Sequence, residues 1–325
     1  MPSLITHHVF SEDLYKKLDK TSIKKINDAK IIYNTFAQSH DYLFYCRFNI
    51  SKGKEMNELG HYAHKHDTQK YIINILKNIK QLSLEEDPNA IGYLYGVITH
   101  YILDSTCHPL IFYKGGAWNK DDKKTFKYRG EHNRIEKDLD AIYYKKKYNK
   151  EYKYCNITKD IIKNPVFTND LIKLINKTYK DTYDKDNIAY YYQKGIQYCK
   201  RVSTFIVNDR FGIKRLFYRL YDLITNKRFG MASCYSTHIT KPNLDWLNND
   251  HKTWNNPCDI KKKYNESFED LYNESIKKCL TIIKECNKYL DNKITLTEVK
   301  KVIPNVSYSN GLLEKDYVPM RYFEY

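Results

Sequence analysis

The chain has 325 residues and a formal net charge of +16 at pH 7, which is spread over both halves. Its 11 Gly and 8 Pro residues are few for this length, which argues against an all-β sandwich and favours long helices. The composition excludes a disordered chain, and the even spread of charge favours a generally basic surface over a nucleic-acid-binding tail.

Apolar residues recur at the spacing of amphipathic helices along most of the chain. Asp87-Pro88 is typical of a helix start, because an acidic residue caps the first turn and proline fits its first position. We expect that helix to stop at His108-Pro109, and we expect Thr21 or Ser22 to cap an earlier helix. The predicted helices span residues 10–18, 23–36, 68–82, 87–108, 131–148, 157–163, 169–179, 188–207, 213–226, 267–290 and 295–302.

Three stretches lack this periodicity. Residues 50–59 and 114–130 are predicted to be polar loops, and residues 228–257 are predicted to be irregular. Neither an internal repeat nor a linker is visible in the sequence. The sequence therefore predicts an all-α protein, in which residues 1–225 form a helical domain and residues 226–325 a loop and helical extension packed on it.

Targeting signals are not visible. The first residues carry neither a basic segment nor an apolar run, so they do not have the pattern of a signal peptide. Residues 90–113 have the length of a membrane span, but His100, Asp104 and His108 lie within them, which favours a buried helix. The eight Cys residues form no CxxC pair. We therefore expect reduced thiols in a cytoplasmic protein without a transmembrane segment.

Histidines concentrate in one part of the chain, since nine of the eleven lie within residues 7–132. His100 and Asp104 are four residues apart on a predicted helix, as are His132 and Glu136, so each pair shares one helical face. His108 follows one turn after Asp104. Imidazole and carboxylate ligands one helical turn apart suit zinc, which binds both at about 2.0–2.2 Å.

The first of these pairs lies on a helix that is apolar on nearly every side. A buried histidine and aspartate must either hydrogen-bond to each other or bind a metal. Gly96 and Gly92, one and two turns before His100 on the same face, leave room for a metal cluster or for a closely packed helix. A third pair of the same spacing, His8 and Glu12, is predicted to lie on a solvated helix face.

Further motifs accompany these pairs in a fixed order. They are Met1-Pro2-Ser3…Thr6-His7, Asp41-Tyr-Leu-Phe-Tyr, His61-Tyr-Ala-His64-Lys-His66, His100-Tyr-Ile-Leu-Asp104…His108-Pro109, His132…Glu136, Leu244-Asp-Trp…Thr253-Trp254-Asn-Asn-Pro257 and Ser267-Phe-Glu-Asp-Leu-Tyr272. With these motifs the chain resembles the bacterial zinc-dependent phospholipases C, which include alpha-toxin-type enzymes, and in particular an unsecreted branch of them. The resemblance is closest over residues 1–140.

The resemblance implies a multi-helix fold, which single-strand nucleases share, and two or three zinc ions. The implied ligands fall into three groups: Asp41, His64, His100 and Asp104 for one ion, His108, His132 and Glu136 for a second, and His7 with bridging Asp104 for a third. Secreted members complete the third site with a terminal Trp, so here the chain's own terminal amine is the expected ligand. His61 and His66 compete with His64. Asp41 is expected to orient or deprotonate the attacking water.

The implied activity is hydrolysis of the bond between glycerol and phosphate in a phospholipid or related head group, with transient contact with an anionic membrane surface. Two alternatives stay open: a zinc-dependent nuclease, which the basic charge and many tyrosines suit, and a non-catalytic basic helical binding module. No Walker loop, GxSxG or GxGxxG motif supports a rival mechanism. Cys107 is not expected to be a nucleophile, because nearby carboxylates raise the pKa of a thiol.

Overall fold

A computed structural model describes residues 4–48, 51–119, 121–225, 231–232, 245–314 and 318–324, and most of these residues are helical. Among these residues the only strands form one antiparallel hairpin, β1 (Trp254–Asn256) and β2 (Asp259–Tyr264), so the predicted all-α class is confirmed. The α-helices are α1 (Leu4–Tyr15), α2 (Lys20–Ile26), α3 (Lys30–Phe36), α4 (Asp41–Tyr45), α5 (Gly53–Ala63), α6 (Thr68–Gln81), α7 (Pro88–Gly115), α8 (Glu131–Tyr148), α9 (Asn169–Tyr183), α10 (Ile188–Val202), α11 (Ile213–Ile224), α12 (Phe268–Leu290) and α13 (Leu296–Val302).

Helix α7 is the central element of the fold. Most of its residues are buried, because α3, α8 and α12 pack around it. The hydroxyl of Tyr95 on α7 donates to Asn287 Oδ1 on α12 over 2.7 Å, in addition to the apolar contacts. No helix of the described residues is long and apolar enough to cross a membrane. The apolar stretch at 90–113 lies within α7, most of whose residues are buried, so it forms a core helix as predicted.

Helix α7 does not stop at His108-Pro109 but continues to Gly115, so the predicted end was wrong. Proline removes the backbone hydrogen bond that the carbonyl of Ser105 would accept. Gly311, whose φ of 63° suits glycine, lies against that carbonyl, and a Cβ there would come within 2.5 Å of the oxygen. The helix thus passes the proline, and His108 stays in helical register with the residues before it.

Helix α1 begins at Leu4, six residues before the predicted start at residue 10. Its first turn is held by Asp140 of α8, whose Oδ1 accepts from the backbone N–H groups of Ile5 (3.0 Å) and Thr6 (2.9 Å). Free N–H groups at a helix start need such acceptors. This acceptor lies 135 residues away in the sequence, so local patterns do not reveal it.

Other predicted boundaries also differ from the structure. Residues 50–59 are not simply a polar loop, because α5 begins at Gly53 and buries Met56 and Leu59. The second helix is capped by Asp19, whose carboxylate accepts from Ser22 N at 2.8 Å, and not by Thr21 or Ser22. Half of the region 228–257 lies outside the described residues, and Trp254–Asn256 near its end form β1.

After α13 the chain returns to α7 in the segment 304–312, here called the return segment. The hydroxyl of Tyr101 on α7 donates to the carbonyl of Pro304 over 2.7 Å and accepts from Val306 N over 3.0 Å. Tyr308 N donates to the carbonyl of His64 over 2.9 Å. The return segment therefore connects α7 with the end of α5.

Gly96 allows α3 to lie directly on α7, so the second of the two uses predicted for the glycine pair is observed. A Cβ at residue 96 would come within 2.6 Å of the Tyr33 carbonyl and 2.7 Å of Phe36 Cβ. We expect Gly96→Ala to lower the free energy of unfolding by about 1–3 kcal/mol, because overpacking a core outweighs the higher helix propensity of alanine. Urea unfolding followed by circular dichroism measures this change.

Gly92→Ala is the matched control, since a Cβ at residue 92 meets its neighbours only at 3.2–3.4 Å. It adds the same methyl group to the same helix, one turn earlier. We expect a clearly smaller loss of stability than for Gly96→Ala. Equal effects of the two substitutions would contradict the close contact of α3 with α7 at Gly96.

Candidate metal centre

Helix α7 presents three ligand-type side chains on successive turns. His100 Nε2 lies 3.5 Å from Asp104 Oδ2, and His108 Nε2 lies 3.7 Å from Asp104 Oδ1. Residues four apart share one helical face, and the uninterrupted helix keeps this spacing past residue 108. Asp104 is 3% exposed and thus stands as a buried anion between two imidazoles.

Helix α8 adds the second predicted pair. His132 Nε2 lies 3.1 Å from Glu136 Oε1, and the same oxygen lies 3.2 Å from Nε2 of His108 on α7. Helix α8 runs over Glu131–Tyr148, the range that the sequence predicts. The carboxylate of Glu136 therefore connects the ligand-type residues of the two helices.

His7 reaches the same cluster from α1. Its Nε2 lies 3.0 Å from Asp104 Oδ1, and its ring centroid lies 4.8 Å from that of His100. The position of His7 follows from the hydrogen bonds that Asp140 makes to the first turn of α1. Asp140 lies one turn after Glu136 on the same predicted helix, but its position in the sequence does not reveal that it holds α1.

Asp41 begins α4 and meets the end of α5. Its Oδ1 lies 3.1 Å from His64 Nε2, and its Oδ2 lies 3.8 Å from His100 Nε2. The two competitors of His64 have other partners. The ring of His61 packs on Phe44 with centroids 4.7 Å apart, and His66 Nδ1 lies 2.8 Å from Glu314. Of the three histidines, His64 is thus the one in contact with Asp41.

Backbone carbonyls fix the orientation of three imidazole rings. The Nδ1–H groups donate as follows: His64 to Gly60 at 2.7 Å, His100 to Ala37 at 3.2 Å, and His108 to Tyr308 at 3.0 Å. A neutral ring that donates through Nδ1 carries a lone pair on Nε2. Sequence patterns did not identify Tyr308, because a backbone carbonyl has no sequence signature.

Each of these Nε2 atoms faces a carboxylate oxygen, so two acceptors approach each other. Such a contact is favourable only with a proton or a metal ion between the two atoms. Ligating histidines commonly donate their second ring N–H to a backbone carbonyl, as these three do. The arrangement therefore fits a cation bound through imidazole nitrogen and carboxylate oxygen.

Charges within the cluster shift several pKa values. Burial opposes protonation of His108, but Asp104 and Glu136 outweigh it and raise its pKa to about 9. Burial also works against a charged His7, yet Asp104 raises its pKa above the ordinary value. At His100 burial dominates and lowers the pKa to about 4. Burial acts to raise the pKa values of Asp104 and Glu136. The neighbouring imidazoles lower these pKa values by more than burial raises them, so both carboxylates stay anionic.

A cavity of about 330 Å³ lies beside the cluster. Its wall also includes the cationic side chains of Arg47 and Lys65, the rings of Phe44 and Phe112, and Ser309 of the return segment. The cavity wall therefore carries positive charge beside the ligand-type residues. The ligand-type residues on its wall are Asp41, His61, His64, Asp104, His108, His132 and Glu136.

The donor atoms fit zinc. In each of three groups the ligand atoms lie within 4.8 Å of one another: His7, Asp41 and His100; His64, His100 and Asp104; His108, His132 and Glu136. Nitrogen and carboxylate oxygen are ligands that zinc prefers, and three protein ligands leave a position open for catalysis. All eight predicted ligands occur in these groups, while the terminal amine expected at a third ion lies outside the described residues.

Two other residues singled out in the sequence do not join the cluster. His8 does not lie on a solvated face: it is buried, and burial lowers its pKa to about 4. Its predicted partner Glu12 accepts from Lys30 Nζ at 3.0 Å and from Asn34 at 2.7 Å. Cys107 is also buried, and burial together with Asp104 raises the pKa of its thiol, which disfavours a nucleophilic role as expected.

Comparison with known proteins agrees with this geometry. The chain gives no significant match to a curated protein or to a solved structure. The family described as zinc-dependent phospholipase C matches residues 5–189, a range that contains every predicted ligand. Since this match covers more than half of the chain, the protein belongs to the zinc-dependent phospholipase C family.

Proposed function

We propose that the chain hydrolyses the bond between glycerol and phosphate in a phospholipid. The observation that carries the proposal is the set of three groups of imidazole and carboxylate atoms, two of which share His100, beside one cavity. When bound there, zinc supplies an activated water and positive charge for the phosphoryl oxygens. The ligand groups named in the sequence analysis are our proposal for two or three ions.

Residues of the chain position the reacting groups. Asp104 contacts His7, His100 and His108, so its carboxylate is the proposed bridge between ions. Asp41 lies on the cavity wall with both oxygens near imidazoles, and we propose that it orients the attacking water and accepts its proton. This role requires that one Asp41 oxygen stays free of metal.

The cavity wall supports a phosphate-bearing substrate. Arg47 and Lys65 place positive charge beside the ligand groups, where they attract an anionic head group. Phe44 and Phe112 supply apolar surface in the same cavity.

The division of the chain near residue 225 and the cytoplasmic location stay predictions.

We expect at least two zinc ions per chain in protein that is purified without chelator. Elemental analysis measures this content, and fewer than one ion per chain would contradict the proposed site. The same sample should release a phosphorylated head group from phosphatidylcholine and leave single-stranded DNA intact. Chelation should abolish the release, and added zinc should restore it.

The outcomes distinguish the open alternatives. Cleavage of single-stranded DNA in place of phospholipid would identify a nuclease with the same ligands. A chain that holds its zinc and cleaves neither substrate would be a binding module.

A further inference from the structure

Helix α11 lies with its polar side on the protein. The buried carboxylate of Asp222 accepts from the backbone N–H groups of Met231 and Ala232, both at 2.8 Å. On the same side of the helix, the hydroxyl of Tyr218 donates to the carbonyl of Ile206 over 2.9 Å. An ordinary surface helix buries its apolar side and exposes its polar side, and α11 is inverted.

The opposite side of α11 is apolar and exposed. At 3.6 residues per turn, its apolar side chains fill a continuous arc of about 160°. Their exposed fractions range from 41% to 78%: Ile213 58%, Leu216 69%, Phe217 64%, Leu220 53%, Tyr221 41%, Leu223 78% and Ile224 77%. Phe211, just before the helix, is 81% exposed. A contiguous apolar surface of this kind marks a site of interaction with a protein or a membrane.

Cationic side chains border this arc. Arg219 is exposed beside it on the helix, and Arg210 is exposed just before the helix, whereas Arg215 lies on the polar side near Asp222. The carboxylate of the nearby Asp209 accepts hydrogen bonds from the backbone N–H groups of residues 214 and 215. The border of the apolar face is therefore positive, in a chain of net charge +16.

We propose that α11 binds in the interface of an anionic phospholipid membrane. Its apolar side chains enter the boundary of the acyl chains, and Arg210 and Arg219 lie at the level of the phosphates. A helix with a broad apolar face and cationic flanks has the pattern of interfacial membrane binding. Two copies of the face would bring their arginine borders together, and this repulsion disfavours a dimer. The proposal goes beyond the proposed function and does not depend on it.

Vesicle co-sedimentation of the full chain tests the proposal. We expect binding to vesicles of phosphatidylcholine with 30% phosphatidylglycerol, and at least tenfold weaker binding to pure phosphatidylcholine, because each cation near an anionic surface adds attraction. The double substitution Phe217→Ser/Leu220→Ser should weaken binding to the anionic vesicles at least tenfold. Val166→Ser is the matched control: Val166 is 77% exposed and lies outside α11, so its binding should equal that of the unmodified chain.

Circular dichroism and zinc content verify that each variant is folded. Equal binding of the double variant and the unmodified chain would overturn the proposal. So would a dimer in sedimentation equilibrium that Phe217→Ser/Leu220→Ser converts to a monomer, with no vesicle binding by either form. A chain that binds vesicles through α11 but hydrolyses no phospholipid supports this proposal and removes the proposed function, so the two failures are distinguishable.

Discussion

Asp104→Asn should remove at least one zinc ion per chain and lower turnover more than about 100-fold. Substitution of a residue that only hydrogen-bonds to a metal ligand typically lowers metal affinity or activity 10- to 100-fold. Asp104 faces three imidazoles directly, so its substitution should have a larger effect. Asparagine has the same shape but cannot balance the charge of two neighbouring ions. Elemental analysis and steady-state kinetics with phospholipid measure the two effects.

Two further variants make this result specific. Glu136→Gln should lower the zinc content chiefly at the group that contains His108 and His132, and leave the group around Asp41 occupied. Asp181→Asn removes an exposed carboxylate that pairs with Lys177 on α9, so it should change neither zinc content nor turnover. If Asp104→Asn kept full metal and turnover, His100 and Asp104 would be a structural hydrogen-bonded pair.

Most helices could be predicted because their signals are local. Helix α8 has the predicted bounds, and α12 and α13 begin where Ser267 and Thr295 form capping boxes. Two of the errors, at the start of α1 and at the end of α7, involve distant contacts. The start of α1 depends on Asp140, and the passage of α7 beyond Pro109 involves Gly311 of the return segment. Neither contact leaves a pattern near the residues that it affects.

The candidate site was predictable for a similar reason. A helix with four-residue spacing places His100 beside Asp104, and the same spacing applies to His132 and Glu136. The choice of His64 came from resemblance, and its contact with Asp41 is seen only in the fold. Carbonyl groups that orient the rings, and cations on the cavity wall, are brought in by packing and could not be predicted from spacing.

Zinc binding should release protons, and its affinity should rise with pH. In the metal-free fold the pKa of His108 is about 9, because Asp104 and Glu136 outweigh burial. At pH 7 this ring is therefore charged, and zinc must displace about one proton to reach Nε2. Below pH 9, each pH unit should lower the zinc affinity of the group around His108 about tenfold. Between pH 9 and pH 7 the affinity should thus fall about 100-fold. Titration calorimetry in two buffers of different ionisation enthalpy measures the proton release.

The stability of the metal-free chain should change with pH in the opposite direction. A raised pKa means that the folded state binds the proton more tightly than the unfolded state, whose histidine pKa is about 6.5. The stabilisation from His108 is thus complete below pH 6.5 and is lost as the pH rises through 9. Urea unfolding with chelator present measures this loss. His251→Gln, at an exposed position away from the cluster, should leave both slopes unchanged. A zinc affinity that stays constant between pH 7 and pH 9, without proton release, would show that His108 is not a ligand.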